Sequence, residues 1–245
     1  MAEIDRLSAL MARFALRVDV SSVEEANLFV IDGVDGRILY LSPCKFGVPV
    51  GVQGQIVFQA HVDFGGQEAP LAIALPDAMH HSVDHDEELA AVIALMRAEV
   101  SAGRCGGASV LARLAEVLIV RLLRARLEKG DVPRGMLGGL ADARLARAIV
   151  AMHDRPGDVW SNDDLASEAG MSRSRFIARF RDAVGTSPQA YLRQWRLALA
   201  QQDVARGDRI DAVARRYGYG SPEALTHMFR RETGHSPITL RHSTS

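Results

Sequence analysis

The chain has 245 residues, 48% of them apolar and 24% charged, with a net charge of -1. This length allows two modest domains with real cores, and the composition excludes a disordered or a strongly basic protein. No apolar run reaches the about 18 residues of a membrane span, because Leu111 to Leu127 is interrupted by Arg113, Glu116, Arg121, Arg124 and Arg126. Glu3, Asp5 and Arg6 stand where a secretory leader would be apolar, so a cytoplasmic protein with no membrane partner is expected.

Ile4, Leu7, Leu10, Met11, Phe14 and Leu16 fall near one helical stripe and predict an opening helix over residues 3–18. From about Leu28 to Leu75 the chain turns rich in Val, Ile, Phe and Gly. Glycines separate short apolar runs such as Ile38 to Leu41 and Gln55 to Ala60, which predicts a small β structure of roughly six strands at most.

The polar run His80-His81-Ser82-Val83-Asp84-His85-Asp86-Glu87-Glu88 comes next. His80, His81 and His85 are candidate metal ligands, with His61 and Cys44 as possible extensions of the set. Their spacing lacks the His-x-His and distal Glu of a metal-holding cupin. A solvated cap with acids at the positive end of a helix is the simpler reading, and no metal or other cofactor is expected.

The helical period returns at Glu87. Leu89, Val92, Ile93, Met96 and Val100 form one stripe; Val110, Leu111, Leu114, Val117, Leu118 and Leu122 form a second, after the break at Ser101 to Gly107. A helical hairpin is predicted. Leu95, Ile119, Val120 and Leu123 make its other faces apolar too, which predicts a homodimer interface. Two cysteines are too few for a disulfide framework, so reduced thiols are expected. Cys105, beside Arg104, and Cys44 are candidate redox sensors, with structural indifference as the plainer alternative. The glycine-rich stretch after the hairpin reads as a linker over residues 129–140, separating an N-terminal domain (1–128) from a C-terminal one (141–245).

Beyond the linker, a single pattern is written twice. Ala166, Gly170, Phe176, Phe180, Gly185, Ser187 and Pro188 recur as Ala214, Gly218, Leu225, Phe229, Gly234, Ser236 and Pro237, at an offset of 48 residues for the first two and 49 for the rest. Each copy predicts a short helix, a turn at glycine and a second helix with apolar positions four apart, which is the helix-turn-helix pattern. The units lie at about 161–185 and 208–234. Ser161 with Asp164 predicts a capping box, and Asp208 with Asp211 a repeat of it. Pro188 opens a helix whose stripe Tyr191, Leu192, Trp195 and Leu199 continues to about Ala205; its length of about 27 Å suits two reading helices roughly one duplex turn apart. Trp160 and Trp195 read as core.

Residues 150–245 hold 14 Arg against 11 Asp and Glu, whereas the rest holds 15 basic against 19 acidic groups, so the repeated region has the charge balance that phosphates favour. With Phe176, Phe180 and Val184 turned inward, the first reading helix presents Ser174, Arg175, Ala178 and Arg181. With Leu225 and Phe229 inward, the second presents Glu223, Thr226, His227 and Arg230. Arginine can grip guanine O6 and N7 with a two-pronged fork and threonine can meet a base edge or a thymine methyl; Ile177 and Ala178 offer apolar contact only. Ser172 and Ser221, at the helix starts, complete the candidate DNA-contacting set.

These residues resemble a known family. From about Leu145 to Arg241 the chain is similar to the DNA-binding domain of AraC-family bacterial transcription regulators, through Ala169-Gly170-Met171-Ser172-Arg173-Ser174-Arg175-Phe176, Pro188-x-x-Tyr191-Leu192, Gly218-Tyr219-Gly220-Ser221 with Leu225 and Phe229, and Thr233-Gly234-His235-Ser236-Pro237. The resemblance implies that Ser174, Ile177, Ala178, Arg181, Glu223, Thr226, His227 and Arg230 contact bases or phosphates. Leu240-Arg241 departs from the Tyr-Arg usual after the final proline. The N-terminal region resembles the cupin-type effector domain of one branch, through Leu75-Pro76, Arg113-Leu114-Ala115-Glu116-Val117-Leu118 and Leu137-Gly138-Gly139-Leu140-Ala141-Asp142, with a shortened β portion.

The expected fold is therefore α+β: a small, truncated cupin-like β domain with a helical hairpin, then an all-α domain of two helix-turn-helix units joined by a linker helix. The expected function is a sequence-specific regulator of transcription whose partner is promoter DNA, with RNA polymerase and a small-molecule effector as further partners. No triad, nucleotide loop or paired-acid set points to an enzyme. The rival reading is a metal- or ligand-binding cupin carrying a vestigial DNA module.

Overall fold

The computed structural model describes residues 7, 17–19, 23–49, 51, 53–64, 75–129, 134–234 and 236. The predicted opening helix falls mostly outside them, as do Pro237 and Leu240-Arg241; of that helical stretch Leu7 and the end are described, and at the end Arg17–Asp19 forms a strand, not a helix. Two compact units divide the chain, with the boundary between Pro133 and Arg134.

The N-terminal unit is built on a five-stranded antiparallel sheet: β1 (Arg17–Asp19), β2 (Leu28–Gly33), β3 (Gly36–Leu41), β4 (Gly54–Asp63) and β5 (Met79–Ser82), in the order β1-β4-β2-β3-β5. β2 and β3 form a tight hairpin in which Asp32 opposes Arg37, and the two side chains form an ion pair across the strands. That guanidinium holds the Asp32 carboxyl below the usual carboxylate range. Phe29 and Ile31, both buried, gather Ala26, Val23, Tyr40 and Ile56 into a small core. Asn27 is fully buried and satisfied on both sides of its amide, donating to Val62 O at 3.0 Å and accepting from Val62 N at 2.8 Å.

Helices α1 (Glu87–Ala102) and α2 (Gly107–Lys129) form the hairpin. Asp86 caps α1 by accepting from Leu89 N, with Glu87 and Glu88 in the first turn, as expected of acids at a positive helix end. The histidines before that cap depart from the expectation. Met79–Ser82 is an edge strand paired with β3, not a solvated loop. Of the apolar positions expected at a dimer face, Ile119 and Leu123 are buried inside this unit, whereas Leu95 is exposed together with Val100, Val110 and Val117.

The C-terminal unit begins earlier than the predicted boundary. Within the stretch read as a linker, Met136–Ala141 forms α3, and Met136, Leu137 and Leu140 are buried. The glycines that suggested flexibility serve close packing instead: a Cβ on Gly139 would stand 2.5 Å from Ile149 Cδ1 and 2.7 Å from Val184 Cγ2. Then follow α4 (Ala143–Asp154), α5 (Asn162–Ala169), α6 (Arg173–Val184), α7 (Pro188–Ala205), α8 (Ile210–Arg216) and α9 (Pro222–Thr233). The pairs α5–α6 and α8–α9 are the two helix-turn-helix units, and α7 is the 18-residue connection. Phe176, Phe180, Leu225 and Phe229 are all fully buried, and Trp160 and Trp195 lie in the core.

Candidate nucleic-acid interface

Each unit turns toward its second helix at a glycine in the left-handed region, Gly170 or Gly218, but the two first helices begin differently. In the first, Ser161 and Asp164 form the expected capping box, and Gly170 makes the turn with φ 61, a left-handed conformation that disfavours any side chain. Arg147 closes that turn by donating from Nη2 to Ala169 O at 2.8 Å. In the second, the predicted Asp208 cap is absent. Helix α8 begins at Ile210 with Arg209 as its cap residue, and Asp208 is drawn instead to Arg216, Oδ2 to Nη1 at 2.7 Å.

The inward faces leave the outward ones free. On α6, Ser174, Arg175, Ala178 and Arg181 are exposed and Ile177 is half-buried; Ser172 is an exposed cap residue whose side chain makes no cap hydrogen bond. On α9, Glu223, His227 and Arg230 are exposed and Thr226 is half-buried. Ser221 caps α9 by accepting from Ala224 N at 3.2 Å.

Ion pairing separates the arginines of these helices into two groups. Arg179 pairs with Asp142, Arg173 with Asp163 at 3.6 Å, and Arg231 with Glu232 at 2.6 Å. Burial works to raise the Asp142 carboxyl, but Arg179 and the Arg144 and Leu145 amides outweigh it and hold it low. Arg175, Arg181 and Arg230 form no ion pair with any described residue, so their guanidinium forks are open to an external acceptor. Two other candidates are partly committed. Thr226 Oγ1 donates to Pro222 O at 2.9 Å, which leaves its methyl and lone pairs for a partner. The Ser221 hydroxyl holds the Glu223 carboxyl below its usual range, tying it to the helix cap.

The sequence reading missed the network that fixes α8 on α7. Asp203, nearly buried on the inward stripe of α7, accepts from Tyr217 Oη and from Arg216 Nη1, both at 2.5 Å. Hydrogen bonds to Asp208 and Asp203 push the Arg216 guanidinium above its ordinary range. A carboxylate four residues after Leu199, inside an apolar stripe, was the available signal.

His81 and His85 line one open surface pocket with Asp86, Glu87 and Glu88, but the candidate histidines do not gather as a set. His80 and His81 are successive strand residues and point to opposite faces of the sheet. His61 lies on β4, three strand spacings or about 14 Å from β5, where it stacks on Phe46 at 5.4 Å. Among the described residues no three His, Cys, Asp or Glu side chains are grouped to hold a metal ion. Cys44 is half-buried, Cys105 is exposed on the α1–α2 turn, and Arg104 reaches toward Glu99 at 3.8 Å. No helix among the described residues is long and apolar enough to cross a membrane.

A tandem of helix-turn-helix units on a shared connecting helix, each with an unpaired arginine on its outer face, defines a DNA-binding architecture. Residues 165–243 match the helix-turn-helix domain family, and residues 43–128 match the cupin family. A putative AraC-like transcription regulator of Streptomyces lividans is 32% identical over 215 residues, covering 85% of this chain and 70% of the relative. One of Streptomyces antibioticus is 34% identical over 171 residues, or 68% of this chain and 56% of the relative. The crystal structure of the DNA-binding domain of the transcriptional factor AdpA, in complex with a target DNA, is 34% identical over 40% of this chain and 89% of that one, with a TM-score of 0.38. The chain belongs to the AraC-like family of transcription regulators, with a cupin domain ahead of its helix-turn-helix domain.

Proposed function

We propose that the protein regulates transcription by laying α6 and α9 into two successive major grooves of one duplex. The observation that carries this reading is the contrast among arginines: on both helices the exposed forks of Arg181 and Arg230 lack carboxylate partners among the described residues, each about 100° around its helix from the buried Phe180 or Phe229. Arg175, Ser174, Ile177 and Ala178 complete the first reading face; Thr226, His227 and Glu223 complete the second. Ser172 and Ser221 bring the helix N-termini to the phosphates, where backbone amides and the helix dipole favour negative charge.

The cupin domain supplies the regulatory input. A small-molecule effector biases it between two states, and the exposed apolar positions Leu95, Val100, Val110 and Val117 support pairing of two copies. The protein acts in the cytoplasm by binding alone, without catalysis, and delivers its output through RNA polymerase; relatives named as regulators support this reading.

Selection of duplexes from a random library at near-physiological salt tests the proposal. Enrichment of two short boxes about 10 base pairs apart is expected. Binding should fall with salt at a log-log slope of about -0.9 per phosphate contact. Enrichment of a single box, or of none, would overturn the two-groove reading.

A further inference from the structure

The connection between α4 and α5, residues 155–161, is fastened to the rest of the C-terminal unit at three points. Two are on the linker helix α7. Half-buried Arg196 donates from Nε to Pro156 O at 2.5 Å and from Nη2 to Asp158 O at 2.6 Å, and Gln189 Nε2 donates to Trp160 O at 2.8 Å. The third is the turn of the second helix-turn-helix unit. Gly157 and Gly218 meet backbone to backbone: a Cβ on Gly218 would stand 2.6 Å from Gly157 O, and one on Gly157 would run into Arg216 O. Gly218, at φ 71, is the residue that turns the chain from α8 toward α9. The loop that leads into the first reading unit is thus seated on the hinge of the second, and Arg196 holds it there.

Arginine suits this task. Its planar fork presents two N–H groups at a fixed angle, so it can bind two carbonyls two residues apart at once, and its charge strengthens both bonds.

We propose that Arg196 is a positioning residue that sets the spacing of the two DNA boxes. By pinning residues 156–158 to α7 and seating Gly157 on Gly218, it holds α6 and α9 at one separation and one rotation. One added base pair moves a box by about 3.4 Å and turns it by about 35° around the duplex, so a stiff pair of readers accepts one spacing and rejects its neighbours. A loosely coupled pair spreads its effective concentration over several spacings and loses that selectivity while each unit keeps its own reading face. The inference rests on the two-groove reading above.

The test uses the full chain, wild type and with Arg196→Lys or Arg196→Met. Each protein is titrated against duplexes carrying the two selected boxes at about 8 to 13 base pairs centre to centre, and against a duplex with one box. Helix content and melting are recorded in parallel. Wild type should favour one spacing over its neighbours by about tenfold or more. Arg196→Met should bind the single box within about twofold of wild type yet distinguish the spacings by no more than about twofold, with Arg196→Lys between. Wild-type spacing selectivity in Arg196→Met overturns the proposal and leaves α7 alone as the ruler. Loss of single-box binding in both variants, in step with loss of helix, also overturns it, because Arg196 would then maintain the fold. No gain from a second box in wild type overturns the two-groove reading itself, and the spacing role with it.

Discussion

Tyr191 Oη lies 2.7 Å from His153 Nε2, and the imidazole ring stacks on Trp195 with centroids 3.6 Å apart, so α7 is joined to α4 by a polar contact inside an otherwise apolar core. Burial pushes the Tyr191 phenol far above its ordinary range, so the hydroxyl stays protonated and shares one hydrogen bond with the ring nitrogen. Tyr191→Phe leaves a buried ring nitrogen without that bond and should cost about 1 to 3 kcal/mol, read as a lower melting temperature with native circular dichroism below the transition. An unchanged melting temperature would show that the contact contributes nothing.

Gly139→Ala sets two effects against each other. In a helix, Ala is favoured over Gly by about 1 kcal/mol. At this position its Cβ meets Ile149 Cδ1 and Val184 Cγ2, both held in a packed core, and overpacking costs about 1 to 3 kcal/mol. The steric effect should win, and the variant should be less stable in denaturant titrations. Ile149→Val in the same chain should recover some of the loss by removing the obstructing methyl. Stabilisation by Gly139→Ala would mean that the site opens easily.

What was legible in the sequence was what depends on neighbours in the chain. Ser161 with Asp164, Gly170, Pro188 and the four-residue spacing of Phe176 and Phe180 act within one or two turns, and each appears where its spacing placed it. What was illegible depends on distant partners. Asp208 has a good capping identity, but Arg216 captures it and the helix starts later. The flexible look of residues 129–140 concealed α3, because a glycine chosen for close packing and one chosen for mobility are the same letter. His80 and His81 read as loop because an edge strand with polar side chains lacks an apolar alternation. Within the reading faces, exposure followed from the helical period, but the pairing of Arg179 with Asp142, 37 residues away, did not.

Tyr219 provides a pH test. Its hydroxyl is buried with no hydrogen-bond partner among the described residues, and burial pushes the phenol up to about 12 from an ordinary 10.0. A folded-state value raised above the unfolded one means full stability below pH 10 and a loss as pH rises from about 10 through 12, because the unfolded chain ionises first. Tyr219→Phe should be neutral or stabilising by up to about 1 kcal/mol at pH 7 and should flatten some of the alkaline loss. Melting curves from pH 8 to about 11.5 decide it; an identical alkaline slope in both proteins would show that Tyr219 ionises as easily folded as unfolded.

The arginines of α6 and α9 permit a sharper comparison, because they share helices and exposure but differ in partners. Arg181→Ala and Arg230→Ala each remove an open fork and should weaken binding to the selected duplex by about 1 to 3 kcal/mol, roughly 5- to 150-fold, with melting unchanged. If the lost contact is to a base, discrimination at one position of the box should relax. If it is to a phosphate, all sequences should weaken alike and the salt slope should fall by about 1. Arg179→Ala removes a side chain whose fork is occupied by Asp142; as an exposed pair it is worth no more than about 1 kcal/mol of stability, and DNA affinity should stay within about twofold of wild type. Equal losses of affinity in Arg179→Ala and Arg181→Ala would show that ion pairing does not decide which arginines meet the duplex, since Arg179 and Arg181 lie two residues apart and about 200° around the helix.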